Sequence, residues 1–277
     1  MRRVPSSTPG ACRGSRSGLI CLVLIGLLPI GCTPSGTPAP ADGGQGKEET
    51  SSPGPEMRTH DAVRQILATA KHLDGVPFSE VVDAATGKTI LPVDLQRSPD
   101  AEIVAFLGRT MDGVLDRMNR PDSPVRGLKR INEASRYFED AMREALNQSD
   151  GFTCGIPTTA AGAAQRSGYP DLRLVHVASG SVVYIDPKLF ESGNRNSSLR
   201  TFYFEPKTTT GKILEDAHHI LVGIEHDGND GAWRFLDWHA VDLSRFRVRL
   251  KAEFQSNNRE LYRPESIISS GAKRPPM

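Results

Sequence analysis

The sequence predicts an α/β (α+β) domain with a mixed central β-sheet flanked by helices, on three observations. Apolar residues recur at helical spacing through three segments in the first half of the folded region. The period then switches to two after residue 170. The resulting order is helices, a β-meander, a short helix and more strands, with no internal repeat. At 277 residues, 38% hydrophobic and 24% charged, the chain can bury a core of its own. Its 34 Lys+Arg against 33 Asp+Glu exclude a polybasic nucleic-acid coat and an acidic disordered tail.

The first 32 residues read as an address. Arg2, Arg3, Arg13 and Arg16 precede the apolar run 18–28, which is too short to span a bilayer comfortably and reads as a secretory h-region. It ends at Pro29-Ile30-Gly31-Cys32, which resembles a bacterial lipoprotein cleavage site with Cys32 as the lipidated residue. An uncleaved anchor, or a start codon placed too early on a cytoplasmic protein, are the other readings of the same segment. Residues 33–56 hold five Pro and five Gly in 24 positions and form a tether. A flexible coil of that length reaches roughly 25–30 Å. The expected location is therefore the bacterial cell envelope, with the membrane as a partner through the N-terminal lipid. Cys154 is then the one thiol of the folded part, so no internal disulfide is expected.

Residues 57–277 form the expected globular domain, with 57–126 its helical part. A helix over 60–73 places Val63, Ile66, Leu67, Ala70 and Leu73 on one face. Ser98-Pro99-Asp100-Ala101-Glu102 opens a second, with Ser98 as cap, Pro99 at the first position and early acids complementing the macrodipole. A third is expected from about 127 to 147, with Ile131, Ala134, Phe138, Ala141 and Met142 inward. Strands follow at 172–177 and 182–185 around Ser179-Gly180-Ser181, then at 201–204. A short helix near 213–217 and strands at 219–225 and 233–238 complete the order.

The chemistry concentrates at the first hairpin. Asp171 opens one strand and Asp186-Pro187-Lys188 closes the next, so a tight turn brings Asp171 and Asp186 side by side. Two hard carboxylates with a nearby Lys form a set that binds Mg²⁺ (or Mn²⁺) and polarises water. Clear of the address and tether, 29 basic and 29 acidic side chains remain, so a polyanion must meet a local patch. Arg245, Arg247, Arg249 and Lys251 alternate with apolar residues, and a strand there would offer four cations on one face to a DNA backbone or protect a sheet edge. His218, His219, His226 and His239 lack zinc-finger or HExxH spacing and read as core or surface residues. Cys154 reads as a buried thiol, with a nucleophile as the competing reading.

Pro170-Asp171 followed by Asp186-x-Lys188 at a strand end resembles the signature of the PD-(D/E)XK nuclease superfamily, the restriction-endonuclease-like fold. The likeness extends over about 127–262. It implies an α-β-β-β-α-β core, metal-dependent phosphodiester hydrolysis, nucleic acid (DNA) as partner, and admits a homodimer that cuts both strands. By this resemblance Asp171 bridges metal ions, Asp186 is the second carboxylate ligand, the Pro187 backbone carbonyl fills a metal position, and Lys188 orients or helps deprotonate the attacking water. The family's helix Glu corresponds to Glu139, at the margin of the buried face centred on Phe138. A second match, Glu205-Pro206-Lys207, competes with Asp186-Pro187-Lys188. Two readings follow: a Mg-dependent endodeoxyribonuclease behind a lipoprotein signal, or a non-catalytic envelope lipoprotein that keeps the nuclease fold as a binding module.

Overall fold

The architecture, from a computed structural model describing residues 59–198 and 201–271, is a mixed sheet with helices packed on it. The signal, the tether and Cys32 lie outside the described residues. Among the described residues no helix is long and apolar enough to cross a membrane.

In chain order the helices and first strands are α1 (Thr59–Ala70), β1 (Val76–Pro77), α2 (Phe78–Thr86), β2 (Ile90–Leu91), α3 (Ser98–Asn119) and α4 (Ser135–Leu146). There follow β3 (Phe152–Gly155), β4 (Leu172–His176), β5 (Val182–Glu191), β6 (Ala217–His226), β7 (Phe235–Asp242), β8 (Arg247–Val248) and α5 (Asn258–Leu261). The main sheet runs β2-β6-β5-β4-β3, with β7 also on β6. The β3–β4, β4–β5 and β6–β7 pairs are antiparallel, whereas β5–β6 and β2–β6 are parallel, so the sheet is mixed as expected.

One face of the sheet carries Leu172, Leu174, Val183, Ile185, Ile220, Val222 and Ile224 against Ile103, Leu107 and Met111 of α3 and Phe138 and Met142 of α4. The other buries Tyr169, Tyr184, Ala217 and Leu243 with Phe78 and Val82 of α2. Phe138 is fully buried with its ring edge-on to Phe235 at 4.7 Å. Phe138→Ala is expected to cost about 3–5 kcal/mol, read as a lower urea midpoint at unchanged slope. A smaller loss would mean that α4, the helix carrying Glu139, is not held by this contact.

Several sequence expectations need correction. Ser98 is the first residue of α3 rather than its cap: Arg97 is the N-cap and makes no side-chain cap bond, while Pro99 does sit in the first turn. The third helix starts at Ser135 after a 3₁₀ turn at Ile131–Ala134, not at 127, because positive-φ Gly127 and the turn 128–134 lead into it. No strand forms at 201–204. Phe202 and Phe204 turn their rings onto Phe78, at 5.1 and 5.4 Å, so their alternation reports side-chain burial without ladder pairing. No helix forms near 213–217, where tertiary partners capture the backbone: the Leu214 amide donates to Tyr184 Oη at 3.0 Å, and Ala217 begins β6. Among the described residues, 192–198 and 201–216 between β5 and β6 are irregular with one 3₁₀ turn, and the helix that the resemblance places between the third and fourth core strands is not seen there.

The cationic strand is also corrected. Asp242 accepts from the Ser244 amide and closes a 3₁₀ turn at Leu243–Arg245, which leaves Arg245 outside any strand. Only Arg247–Val248 pairs, with Val76–Pro77. Arg247 donates to the Gly75 carbonyl at 2.5 Å, Lys251 is ion-paired with Glu253, and Arg249 lies in irregular chain. The four cations share no strand face.

Candidate active site

The site is built where one strand ends and its neighbour continues. Leu172 to Val175 of β4 pair with Ile185 to Val182 of β5 around a turn with Gly180 at φ +70. The Asp171 amide donates to the Ile185 carbonyl at 3.2 Å, and there β4 stops while β5 runs on for six residues. Backbone groups alternate in direction along a strand. Pro187, two residues past Ile185, therefore faces the side that β4 has vacated, where a missing N–H breaks no ladder bond. The long strand explains how proline stands in the interior of a sheet.

Asp171, Asp186 and Lys188 converge in this step. Lys188 Nζ lies 2.5 Å from Asp186 Oδ2 and 3.6 Å from Asp171 Oδ2, and donates to the Pro187 carbonyl at 3.5 Å. Asp186 is 2% exposed. Burial pushes its carboxyl up to about 7; Lys188 pulls the other way and Asp171 adds to the rise. Its Oδ2, sealed from solvent, has no hydrogen bond of proper geometry although the ammonium is close. A buried carboxylate beside a second carboxylate and a backbone carbonyl is a donor set of hard oxygens that fits a divalent ion such as Mg²⁺ or Mn²⁺.

Glu139 of α4 borders the same cluster. Burial raises its pKa, and the next cause is the charge of Asp171. Arg166 holds it at 3.5 Å and binds Asp140 at 2.6 Å. Glu205 and Lys207, the second match, pair with each other at 2.8 Å in the exposed crossover, outside the sheet. Cys154 is buried and its thiol is pushed up to about 12 by that burial, which makes it unreactive and removes the nucleophile reading.

Three basic residues without a motif of their own, Lys212, Arg173 and Arg166, complete the surroundings. Lys212 is 2% exposed, donates to the Gln165 and Arg166 carbonyls at 3.2 and 3.5 Å, and has its pKa lowered by burial, which the charges of Asp171, Asp186 and Glu139 oppose. It brings positive charge to the acidic cluster from a loop. Arg173, next to the site on β4, grips Glu215 at 2.5 Å, and Tyr184 donates to the same carboxylate, tying the crossover to the hairpin. Arg166 and Lys212 sit in irregular segments, and no spacing marks either one.

The family model of the type II restriction enzyme MjaV family matches residues 71–265. Over 218 residues, covering 74% of this chain and 92% of the relative, the sequence is 32% identical to the type II restriction enzyme MjaV of Methanocaldococcus jannaschii. The matched span contains every element from β1 to α5 and all of Glu139, Asp171, Asp186 and Lys188. The stepped hairpin, its carboxylate pair and the length of the match lead to one conclusion: the chain belongs to the type II restriction enzyme MjaV family.

Proposed function

We propose that this protein is a DNA endonuclease of PD-(D/E)XK type that hydrolyses phosphodiesters with a divalent metal. The observation that carries it is the convergence of Asp171, Asp186 and Lys188 at the β4–β5 step in a chain of this family. Bound Mg²⁺ supplies Lewis-acid stabilisation of phosphate charge and an acidified water. Asp171, Asp186 and the Pro187 carbonyl would hold it. Lys188 Nζ orients the water that forms the new oxygen–phosphorus bond as the ester bond breaks, and places positive charge where the phosphorane-like transition state gains negative charge. Glu139, whose pKa is raised by burial and by the charge of Asp171, stands at the edge of the cluster where it could share a proton. A homodimer would place two such sites for cutting both strands in one encounter.

The test is supercoiled plasmid incubated with the protein in Mg²⁺ or EDTA, beside Asp186→Asn. Nicking that needs both the metal and Asp186 supports the reading. Intact DNA in every lane from folded protein favours the non-catalytic binding module instead.

We also propose export and lipid anchoring through Cys32, supported by the apolar run 18–28 and the Gly31-Cys32 junction. The DNA cut would then lie outside the cytoplasm. Cells grown with labelled palmitate are expected to label the full chain and not Cys32→Ala. Equal absence of label in both would remove the lipid anchor and leave an uncleaved anchor or a cytoplasmic protein as the readings of this segment.

A further inference from the structure

A second cluster of metal-ligating side chains lies on the sheet, apart from the nuclease step. Glu225 of β6 and Asp237 of β7 are direct cross-strand partners, and His239 lies two residues further along β7 on the same face. One ligand atom from each comes within 4.8 Å of the others. Two carboxylates directly opposite on neighbouring strands repel. Among the described residues no lysine or arginine is ion-paired with either; the one basic group at hand is His239, whose Nε2 is 3.8 Å from Asp237 Oδ2. That Nε2 is sealed from solvent and has no hydrogen-bond partner. Its ring is stacked with Phe190 at 6.4 Å. Asp237 Oδ1 accepts from the Trp238 amide at 2.8 Å, which orients the carboxylate. A pair of like charges facing each other, beside an oriented imidazole with an unpartnered nitrogen, is what a cation would resolve.

We propose that Glu225, Asp237 and His239 bind a first-row divalent transition-metal ion. One imidazole with two carboxylates suits Mn²⁺ or Zn²⁺, where an all-oxygen set suits Mg²⁺ or Ca²⁺. The ligand atoms need to close by less than an ångström each to reach bonds of about 2.0–2.2 Å. The site is distinct from any second ion of the nuclease centre. Gly223 pairs with Lys188 on one side and His239 on the other, so the two centres are two strands apart on one face. At about 4.8 Å per strand that is roughly 10 Å, well beyond the roughly 4 Å of a two-metal centre. The bound ion fastens edge strand β7 to β6. This proposal stands independently of the nuclease reading, because its test does not read cleavage.

The experiment is Mn²⁺ titration of the full chain followed by electron paramagnetic resonance. The oxygen set at Asp171 and Asp186 contains no imidazole, so nitrogen coupling on bound Mn²⁺ reports His239. Wild type and Asp186→Asn are expected to show that coupling; His239→Gln is expected to lose it together with one bound equivalent. Glu225→Gln, isosteric and partly exposed, is expected to keep the fold and weaken that equivalent about tenfold or more. Wild type without nitrogen coupling, coupling that survives in His239→Gln, or an unchanged affinity in Glu225→Gln would each overturn the assignment.

Discussion

Lys188→Ala is expected to lower metal-dependent plasmid cleavage by about 10²–10³-fold, the usual effect of removing one group that meets charge developing in a transition state. Lys188 Nζ is the cation nearest Asp186 and also reaches Asp171, so no other side chain already stands in its place. Lys212 does not substitute, because its Nζ is committed to two backbone carbonyls. The variant still folds, since Asp186 responds to loss of the ammonium by keeping a proton, its pKa having been pulled down by Lys188. Cleavage at the wild-type rate in Lys188→Ala would remove the lysine from the chemistry.

Asp186→Asn is expected to abolish cleavage while making the metal-free protein more stable. The ordinary carboxyl value is 3.8 and the folded value about 7, so the charged form is penalised in the fold. Below about pH 4 the group is neutral folded or unfolded, and no penalty exists. Between these values the unfolded chain releases the proton more readily, so stability falls as pH rises, and above about 7 the penalty is complete. A buried carboxyl penalised in this way costs on the order of a few kcal/mol once ionised, enough to move melting by several degrees in a domain of this size. Melting in EDTA should show asparagine above wild type at pH 8 and the two converging near pH 4. Millimolar Mg²⁺ should then raise wild type and leave the variant unmoved. A gap that is constant with pH would locate the effect elsewhere than this ionisation.

The part of the site written in local pattern was readable from sequence. Asp171 and Asp186 bracket a hairpin whose alternation and Gly180 turn specify its register, and that register alone places them together. Glu139 comes from the resemblance to the family's helix Glu, and α4 places it at the border of the cluster. Lys212 and Arg166 come from irregular chain, where position is set by tertiary contacts such as carbonyls at the far side of a loop, and no period encodes those. β3 is illegible in the sequence for a related reason: Phe152-Thr153-Cys154-Gly155 is too short and mixed to alternate visibly, and it is a strand because Leu174 and its neighbours offer it an edge. The crossover misled in the opposite direction, since Phe202 and Phe204 alternate for burial against Phe78 and never meet a ladder.

The step in the sheet leaves a stretch of β5 beyond Ile185 with no strand beside it on the β4 side. Such a slot, about 4.8 Å wide and lined by backbone polar groups, is the shape into which any extended peptide would zip. Pro187 stands at the first position of that slot whose amide would be needed, and it has none to give. Proline at that position thereby withholds the first ladder donor that an incoming strand would need beside the carboxylates.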